Sequence, residues 1–334
     1  MDHYHIYGMG NALLDREFEV SDEFLEEMGI DKGHMTLIDG ERKKELLKKL
    51  GASKNVACGG STANSLIAAT QWGAKAFCSC KVSDDGDGRL FRDDLKARGV
   101  DFWAEWEEEG QTGNCLVMVT SDAQRSMNTY LGISADYSRK EIHEAALKNS
   151  EYLLMEGYLV ASPTAREAMM VSKKMAEANG VKTVLALSDI NMVEQFHGEL
   201  GQIIGDGVDI IFANEEEVKA FTGERDLNRA IASLRLLSSV AAVTQGPKGA
   251  IVDDGRQSLE VPSISIDPVD SNGAGDMFAG VFLSALAKRG GSLEKAARLA
   301  CLCAARVVEK WGPRFDEDDL GSVTDEARSL GLIS

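Results

Sequence analysis

A chain of 334 residues with a 44% hydrophobic composition can bury one large α/β domain or two modest ones. Its formal net charge of −18 argues against a broad nucleic-acid surface or an anionic membrane as partner. Any phosphate it binds must be held locally, by backbone amides, a metal or a few basic groups. The six cysteines form no C-x-x-C pair and read as small buried residues of a reducing compartment. Met1 to Gly10 carries no basic leader pattern and no apolar run reaches membrane-spanning length, so the expectation is a cytoplasmic protein.

His3 to Asn11 predicts a first strand ending in Gly8-Met9-Gly10-Asn11. Leu13 stands where a dinucleotide fingerprint needs its third glycine, and no amphipathic helix follows, which weakens an oxidoreductase reading. Asp15 to Ser21 alternates like a half-exposed strand. Asn11 and Asp15 then fall just past a buried strand, where α/β proteins place ligands, although both residue types also form turns. Glu41 to Leu50 reads as a helix and Asn55 to Cys58 as a strand. Gly59-Gly60-Ser61-Thr62-Ala63-Asn64-Ser65 opens a helix, without the Lys-Ser/Thr of a phosphate-binding P-loop. Its small hydroxyl and amide side chains suit sugar hydroxyls, or an ordinary helix cap. Ala74 to Val82 predicts a strand and Leu90 to Arg98 a helix. Asp101 to Glu108 and Thr112 to Thr120, with Asp15 to Ser21 and a strand near Ser126 to Leu131, predict a small separate sheet. It would act as a lid built from segments near 12–36 and 100–132, packed by Trp103 and Trp106.

From Tyr137 the pattern turns regular. Helices are expected at Tyr137 to Asn149, Ser162 to Asn179 and Asn191 to Ile204, alternating with strands Glu151 to Met155, Val181 to Leu187, Asp209 to Ala213 and Val240 to Thr244. Such alternation implies a mostly parallel sheet covered on both faces. Residues 1–334 are therefore read as a single three-layer α/β/α domain with a small inserted lid.

Three motifs fall near strand ends: Asn214-Glu215-Glu216-Glu217, Thr244-Gln245-Gly246-Pro247-Lys248-Gly249, and Asp270-Ser271-Asn272-Gly273-Ala274-Gly275-Asp276. The last opens an apolar helix, whose first N–H groups lack partners and lie at the positive end of the dipole. An anion fits there, and Asp276 beside it fits a hydroxyl that must lose its proton; alone, the same stretch is also an ordinary capped turn. Together the three motifs suit phosphoryl transfer, which needs amides for phosphates, a carboxylate near a metal and a base.

These motifs resemble the ribokinase-like (PfkB-type) carbohydrate kinases, whose signature D-T-x-G-A-G-D is matched with Ser271 in place of Thr. The family's N-terminal glycine motif resembles Gly59 to Asn64, and its N-x-x-E motif Asn214 to Glu217. The resemblance runs from Gly8 to about Pro313 and implies the ribokinase-like fold. It implies ATP and Mg²⁺ as cofactors, Asp276 as base, and Gly273, Ala274 and Gly275 as the anion hole. By the same resemblance Asn11, Asp15, Gly59, Gly60, Ser61 and Asn64 would hold the acceptor. Asn214, Thr244, Gly246, Gly249 and Asn272, with Gly273 and Gly275, would hold the nucleotide. Glu217 would reach Mg²⁺ through water, and Asp270 leaves room for K⁺. Asn11-Ala12-Leu13-Leu14-Asp15 and Gly60-Ser61-x-x-Asn64 look most like adenosine kinases. The expected acceptor is thus the primary hydroxyl of a nucleoside, adenosine first, with a free sugar or sugar acid as the alternative. A non-catalytic binding protein on the same fold is disfavoured because the signature is undamaged. The expected protein takes small-molecule partners only, as a monomer or homodimer.

Overall fold

The computed structural model describes residues 3–107, 109–122, 124–289 and 292–333, with 104–107 and 288–289 described in backbone only. The strands up to the chain's middle are β1 (Tyr4–Met9), β2 (Leu13–Glu19), β3 (Met35–Leu37), β4 (Asn55–Gly59), β5 (Ala76–Ser83), β6 (Val100–Glu107), β7 (Gly113–Val119) and β8 (Arg125–Tyr130). Then follow β9 (Ser150–Glu156), β10 (Lys182–Ala186), β11 (Val208–Asn214), β12 (Ser238–Thr244), β13 (Ala250–Asp253) and β14 (Ser258–Val261).

Nine of these build a large sheet in the order β14-β13-β12-β11-β10-β9-β1-β5-β6. From β12 to β6 all neighbours are parallel, and β13 and β14 add an antiparallel hairpin at one edge. Successive side chains on a strand point to opposite faces, and here both directions are apolar. Tyr152 and Leu154 of β9 enter the core on one face, while Leu153 and Met155 enter the core on the other; Ile210 and Ile211 of β11 divide likewise. The first core takes helices Ser61–Gln71, Ala274–Arg289 and Leu293–Val307, and the second takes Pro163–Ala178, His197–Ile204 and Glu215–Thr222. This is the three-layer α/β arrangement expected. Phe278 and Phe282 of the helix Ala274–Arg289 stack on each other and meet Phe212 of β11 edge-on. Burying each ring is worth about 1.5–3 kcal/mol, which fixes the start of that helix beside the strand ends.

The second sheet has the order β3-β8-β7-β2-β4. One face packs Phe18, Leu116 and Met118 against Leu25 and Leu46, which come from the helices Asp22–Glu27 and Gly40–Lys49. The other face turns Leu13, Cys115 and Val117 toward the C-terminal ends of the large sheet's strands.

Three expectations are corrected. Of the stretch Asp101 to Glu108, the residues up to Glu107 belong to the large sheet, not the small one: β6 pairs in parallel with β5 across the helix Gly86–Ala97. Leu95 and Val100 bury into the first core and hold that crossover in place. Trp103 therefore lies on the outer edge of the large sheet, 44% exposed, with its ring beside His143. The side chain of Trp106, and Glu108, lie outside the described residues. In place of β6, the small sheet gains β3 and β4. The helix expected at Tyr137 to Asn149 is one 3₁₀ turn, Arg139–Glu141, and a short helix, Glu144–Lys148, after a separate 3₁₀ turn Gly132–Asp136 that ends before it. Ser138 with Glu141, and then His143, bond nearby backbone N–H groups and outcompete a continuous helix. The helix expected at Asn191 to Ile204 breaks at Phe196 into Ile190–Gln195 and His197–Ile204.

Candidate active site

A cavity of about 410 Å³ lies between the apolar face of the small sheet and the C-terminal ends of β9 to β12, with β1's end at its floor. Gly8 and Gly10 do not form a dinucleotide turn. A Cβ at Gly8 would strike Thr62 and Leu66, and one at Gly10 would overlap Glu156 and Thr62. They let the helix Ser61–Gln71 lie close across β1, which brings Ser61 and Asn64 to the cavity.

Those two side chains receive Asp276. Ser61 Oγ donates to Asp276 Oδ1 at 2.6 Å, and Asn64 Nδ2 donates to Oδ2 at 3.0 Å. Asp276 keeps part of its surface open to the cavity while protein surrounds it. That burial raises its pKa, opposed by the Ser61 and Asn64 hydrogen bonds and by the charges of Arg125 and Arg314. A carboxylate so poised is a suitable proton acceptor. Gly273 turns the chain at φ +73 and packs so tightly on Pro313 that no Cβ fits. Gly275, in the first turn of the helix Ala274–Arg289, differs: a Cβ there would meet no protein atom within 4 Å. Its backbone borders open cavity, so the residues present fit a phosphate at this helix start.

The expected acceptor residues gather at the other side of Asp276. Asn11, Asp15, Gly60, Ser61 and Asn64 line the cavity, while Gly59 does not. A Cβ at Gly59 would overlap the Asp15 carboxyl, so this glycine makes room for Asp15. Burial, opposed by the charge of Arg314, pushes the Asp15 carboxyl up to about 8. Asn11 is positioned by Glu156, one residue past the strand expected at Glu151 to Met155. Glu156 Oε1 accepts from Asn11 N at 3.3 Å and Nδ2 at 3.0 Å, and Oε2 accepts from Thr62 N at 2.9 Å. Gly60, the N-cap of the helix Ser61–Gln71, has no side chain to cap it, so Glu156 caps that helix from a distant strand.

Of the residues expected to hold the nucleotide and its metal, Asn214, Glu217, Thr244 and Gly246 line the cavity with Asn272, Gly273, Ala274 and Gly275. Asn214 and Glu217 form a capping box on the helix Glu215–Thr222, and burial pushes Glu217 up to about 7. Both Glu217 oxygens accept from Asn214, at 2.6 and 3.0 Å, and each retains a further lone pair. Among the described residues no group of three or more His, Cys, Asp or Glu is placed to hold a metal ion. This donor set suits a magnesium ion held through water and phosphates rather than by the protein directly. Gly249 is not among the cavity residues; it sits at φ +103 where a Cβ would overlap Val261 O. The Asn272 side chain is spent on bracing: Oδ1 accepts from Arg125 Nη1 at 2.8 Å and Nδ2 donates to Glu17 Oε1 at 3.3 Å. Asp270 is fully buried, and its oxygens accept from Asn272 N at 2.9 Å and Gly312 N at 3.1 Å. A monovalent cation would have to share it with that brace.

Sequence reasoning passed over four residues. Glu156 gave only the signal of a carboxylate ending an apolar strand. Arg125 on β8 reaches across the cavity to Ser271 Oγ at 3.2 Å as well as to Asn272, a contact no local pattern announces. Ser188, after β10, adopts φ +74 in the cavity wall, a strained conformation for a residue other than glycine. Arg314 binds Asn64 from behind.

A carboxylate held by two donors, a glycine-built helix start and a set of polar groups around one cavity suit a phosphotransferase that acts on a hydroxyl group. Comparison with known proteins agrees, and the chain belongs to the pfkB family of carbohydrate kinases, whose model matches residues 33–320. The structure of a probable sugar kinase from Rhizobium etli CFN 42 superposes with a TM-score of 0.94 at 33% identity, covering 100% of both chains. The structure of adenosine kinase from Sinorhizobium meliloti gives 0.93 at 33% identity, covering 98% of this chain and 100% of that one. Adenosine kinase 2 of Arabidopsis thaliana is 26% identical over 339 residues, covering 93% of this chain and 96% of its own length.

Proposed function

We propose that this protein transfers the γ-phosphoryl group of ATP to the primary hydroxyl of a nucleoside, with adenosine as the leading acceptor. The observation that carries the reading is the Asp276 carboxylate, held by Ser61 and Asn64 within one helical turn of the open backbone at Gly275. Asp276 takes the proton of the acceptor hydroxyl, and the Gly273, Ala274 and Gly275 amides stabilise the charge on the moving phosphoryl group. Arg125, a cation in the cavity wall, adds to that stabilisation. Asn11, Asp15, Gly60 and Asn64 hold the sugar hydroxyls. Thr244 and Gly246 border the nucleotide, with Gly249 behind them. Asn214 and Glu217 would hold Mg²⁺ through water, where it supplies charge neutralisation at the phosphates. Asp270 would hold K⁺ beside the signature loop. The small sheet serves as the lid, and the six buried free cysteines are in keeping with a cytoplasmic enzyme. No helix among the described residues is long and apolar enough to cross a membrane.

A nucleoside is favoured over a free sugar by the wall opposite the polar groups. Leu13, Cys115, Val117, Met127 and Leu131 of the small sheet and its flank present an apolar surface that a base would cover and a sugar would leave bare. A free sugar is the second reading, supported by the likeness to the probable sugar kinase of Rhizobium etli. Coupled ADP release with adenosine, other nucleosides, ribose, fructose and sugar acids separates them. Adenosine is expected to give the highest kcat/KM; a sugar ahead of every nucleoside would overturn the reading. Asp276→Asn is expected to fold, bind ATP and lose about 10²–10⁴-fold in turnover. Turnover within tenfold of the parent would remove Asp276 from its role.

A further inference from the structure

We propose that Arg314 is a positioning residue for phosphoryl transfer: it fixes the Asn64 carboxamide so that its NH₂ faces Asp276. The proposal rests on the reading of Asp276 as proton acceptor. An asparagine side chain can turn its amide over, and the two orientations present opposite partners. With NH₂ toward Asp276, Asn64 stabilises the carboxylate; with the oxygen there, it would repel it.

Two groups of one guanidinium exclude the second orientation. Arg314 Nε and Nη2 both donate to Asn64 Oδ1, at 3.3 and 3.1 Å, so a flipped amide would aim its NH₂ at a cation. Arg314 is itself held rigidly and is 8% exposed. Its Nη1 donates to Asp94 Oδ2 at 2.7 Å and its Nη2 to Cys58 Sγ at 3.1 Å. Asp94 Oδ2 also accepts from Cys58 N at 2.9 Å, tying the helix Gly86–Ala97 to β4 at the same point.

The neighbours of Arg314 serve the same loop. Gly312 N donates to Asp270, and Pro313 packs against Gly273. Three consecutive residues of the C-terminal segment thus support the signature loop at its start, its turn and its carboxylate. A plain buried ion pair is the competing account, and such pairs contribute uncertainly to stability. It explains the Asp94 contact but assigns no purpose to the double contact with Asn64. The titratable and charged groups near Asp276 are Arg125 from β8, Arg314, Asp15 from β2 and Tyr158 after β9. Loss of Arg314 removes one of the two cations and frees the amide, so the Asp276 pKa should rise.

The test compares Arg314→Met, Arg314→Lys and Asp276→Asn in the whole protein with Mg–ATP and adenosine, ribose being run in parallel. Arg314→Met is expected to lower kcat about 10-fold or more, leave the KM for ATP within about twofold, and move the acid limb of the kcat profile up by about one pH unit. Arg314→Lys keeps the charge but not the fork, so a smaller loss in the same direction is expected, and it carries the test should the Met variant not fold. A folded variant that melts at lower temperature with parental kcat and acid limb would overturn the proposal. An active Asp276→Asn would instead overturn the reading beneath it, so the two failures are distinguishable.

Discussion

Glu156→Gln probes the join between the acceptor side of the cavity and the helix that carries Ser61 and Asn64. Both carboxylate oxygens accept from backbone N–H groups: Oε1 from Asn11 at 3.3 Å and Oε2 from Thr62 at 2.9 Å. The Asn11 side chain can turn over to suit a glutamine, but the two backbone groups cannot. Whichever way the new amide is placed, its NH₂ meets an N–H, and one buried donor is left unsatisfied. That costs about 1–3 kcal/mol. Burial raises the Glu156 pKa despite its four hydrogen bonds from Thr62 and Asn11, so removing the charge returns part of the loss. Oε2 already fills the space that a Cβ on Gly10 would need, which limits how far the new side chain can relax. The net expectation is a Tm lower by a few degrees and a KM for adenosine raised roughly 5- to 150-fold. The KM for ATP should change less than about threefold, since Asn214 and Thr244 end other strands and Gly246 opens the turn after β12. Thermal unfolding and initial rates with each substrate varied in turn would check this. Parental melting together with a parental adenosine KM would refute the role given to Glu156.

Two further perturbations follow from the same geometry. Gly273→Ala places a Cβ at φ +73 against Pro313, and it is expected to destabilise the protein by about 1–3 kcal/mol and to abolish activity. Gly275→Ala meets no protein atom and should keep the parental Tm while losing ATP turnover, because its methyl enters the space left for phosphate. Equal melting losses in both would contradict the distinction. Asp15 has a folded pKa of about 8, raised from a carboxyl's ordinary ~3.9, so its contribution to stability is present in acid and lost as pH rises through that window. Asp15→Asn should flatten the pH dependence of denaturant stability between about pH 4 and 8 and raise the adenosine KM; an unchanged slope would exclude this linkage.

The parts legible in the sequence were those whose cause is local. Buried parallel strands carry apolar side chains in both directions, and Leu153, Leu154 and Met155 announce that without help from the rest of the chain. The glycines of the signature and the Asn214–Glu217 capping box are likewise written within four residues. What escaped depends on pairing at a distance. β6 has the composition of a lid strand, and only its crossover beside β5 assigns it to the large sheet. The 3₁₀ turn after Ser138 reflects short-range side-chain bonds that compete with an otherwise helical pattern, whereas the break at Phe196 carries no side-chain cap bond. Glu156, Arg125 and Arg314 are single polar residues whose partners lie 94 to 250 positions away, at Thr62, Ser271, Asn272 and Asn64.

Among the described residues Arg125 is the only lysine or arginine that lines the cavity, in a chain with a net charge of −18. An anionic nucleotide therefore approaches against the field of the whole molecule and is drawn in only at close range. The two contributions differ in reach. Salt at physiological strength confines the diffuse repulsion to about 8 Å, yet leaves a partly enclosed guanidinium much less affected. Capture of the nucleotide should consequently quicken as salt rises from very low concentration, the reverse of what a basic entrance produces. The exposed acidity then sorts visitors before the cavity does: a neutral nucleoside crosses it freely, whereas its phosphorylated product, once released, is discouraged from returning.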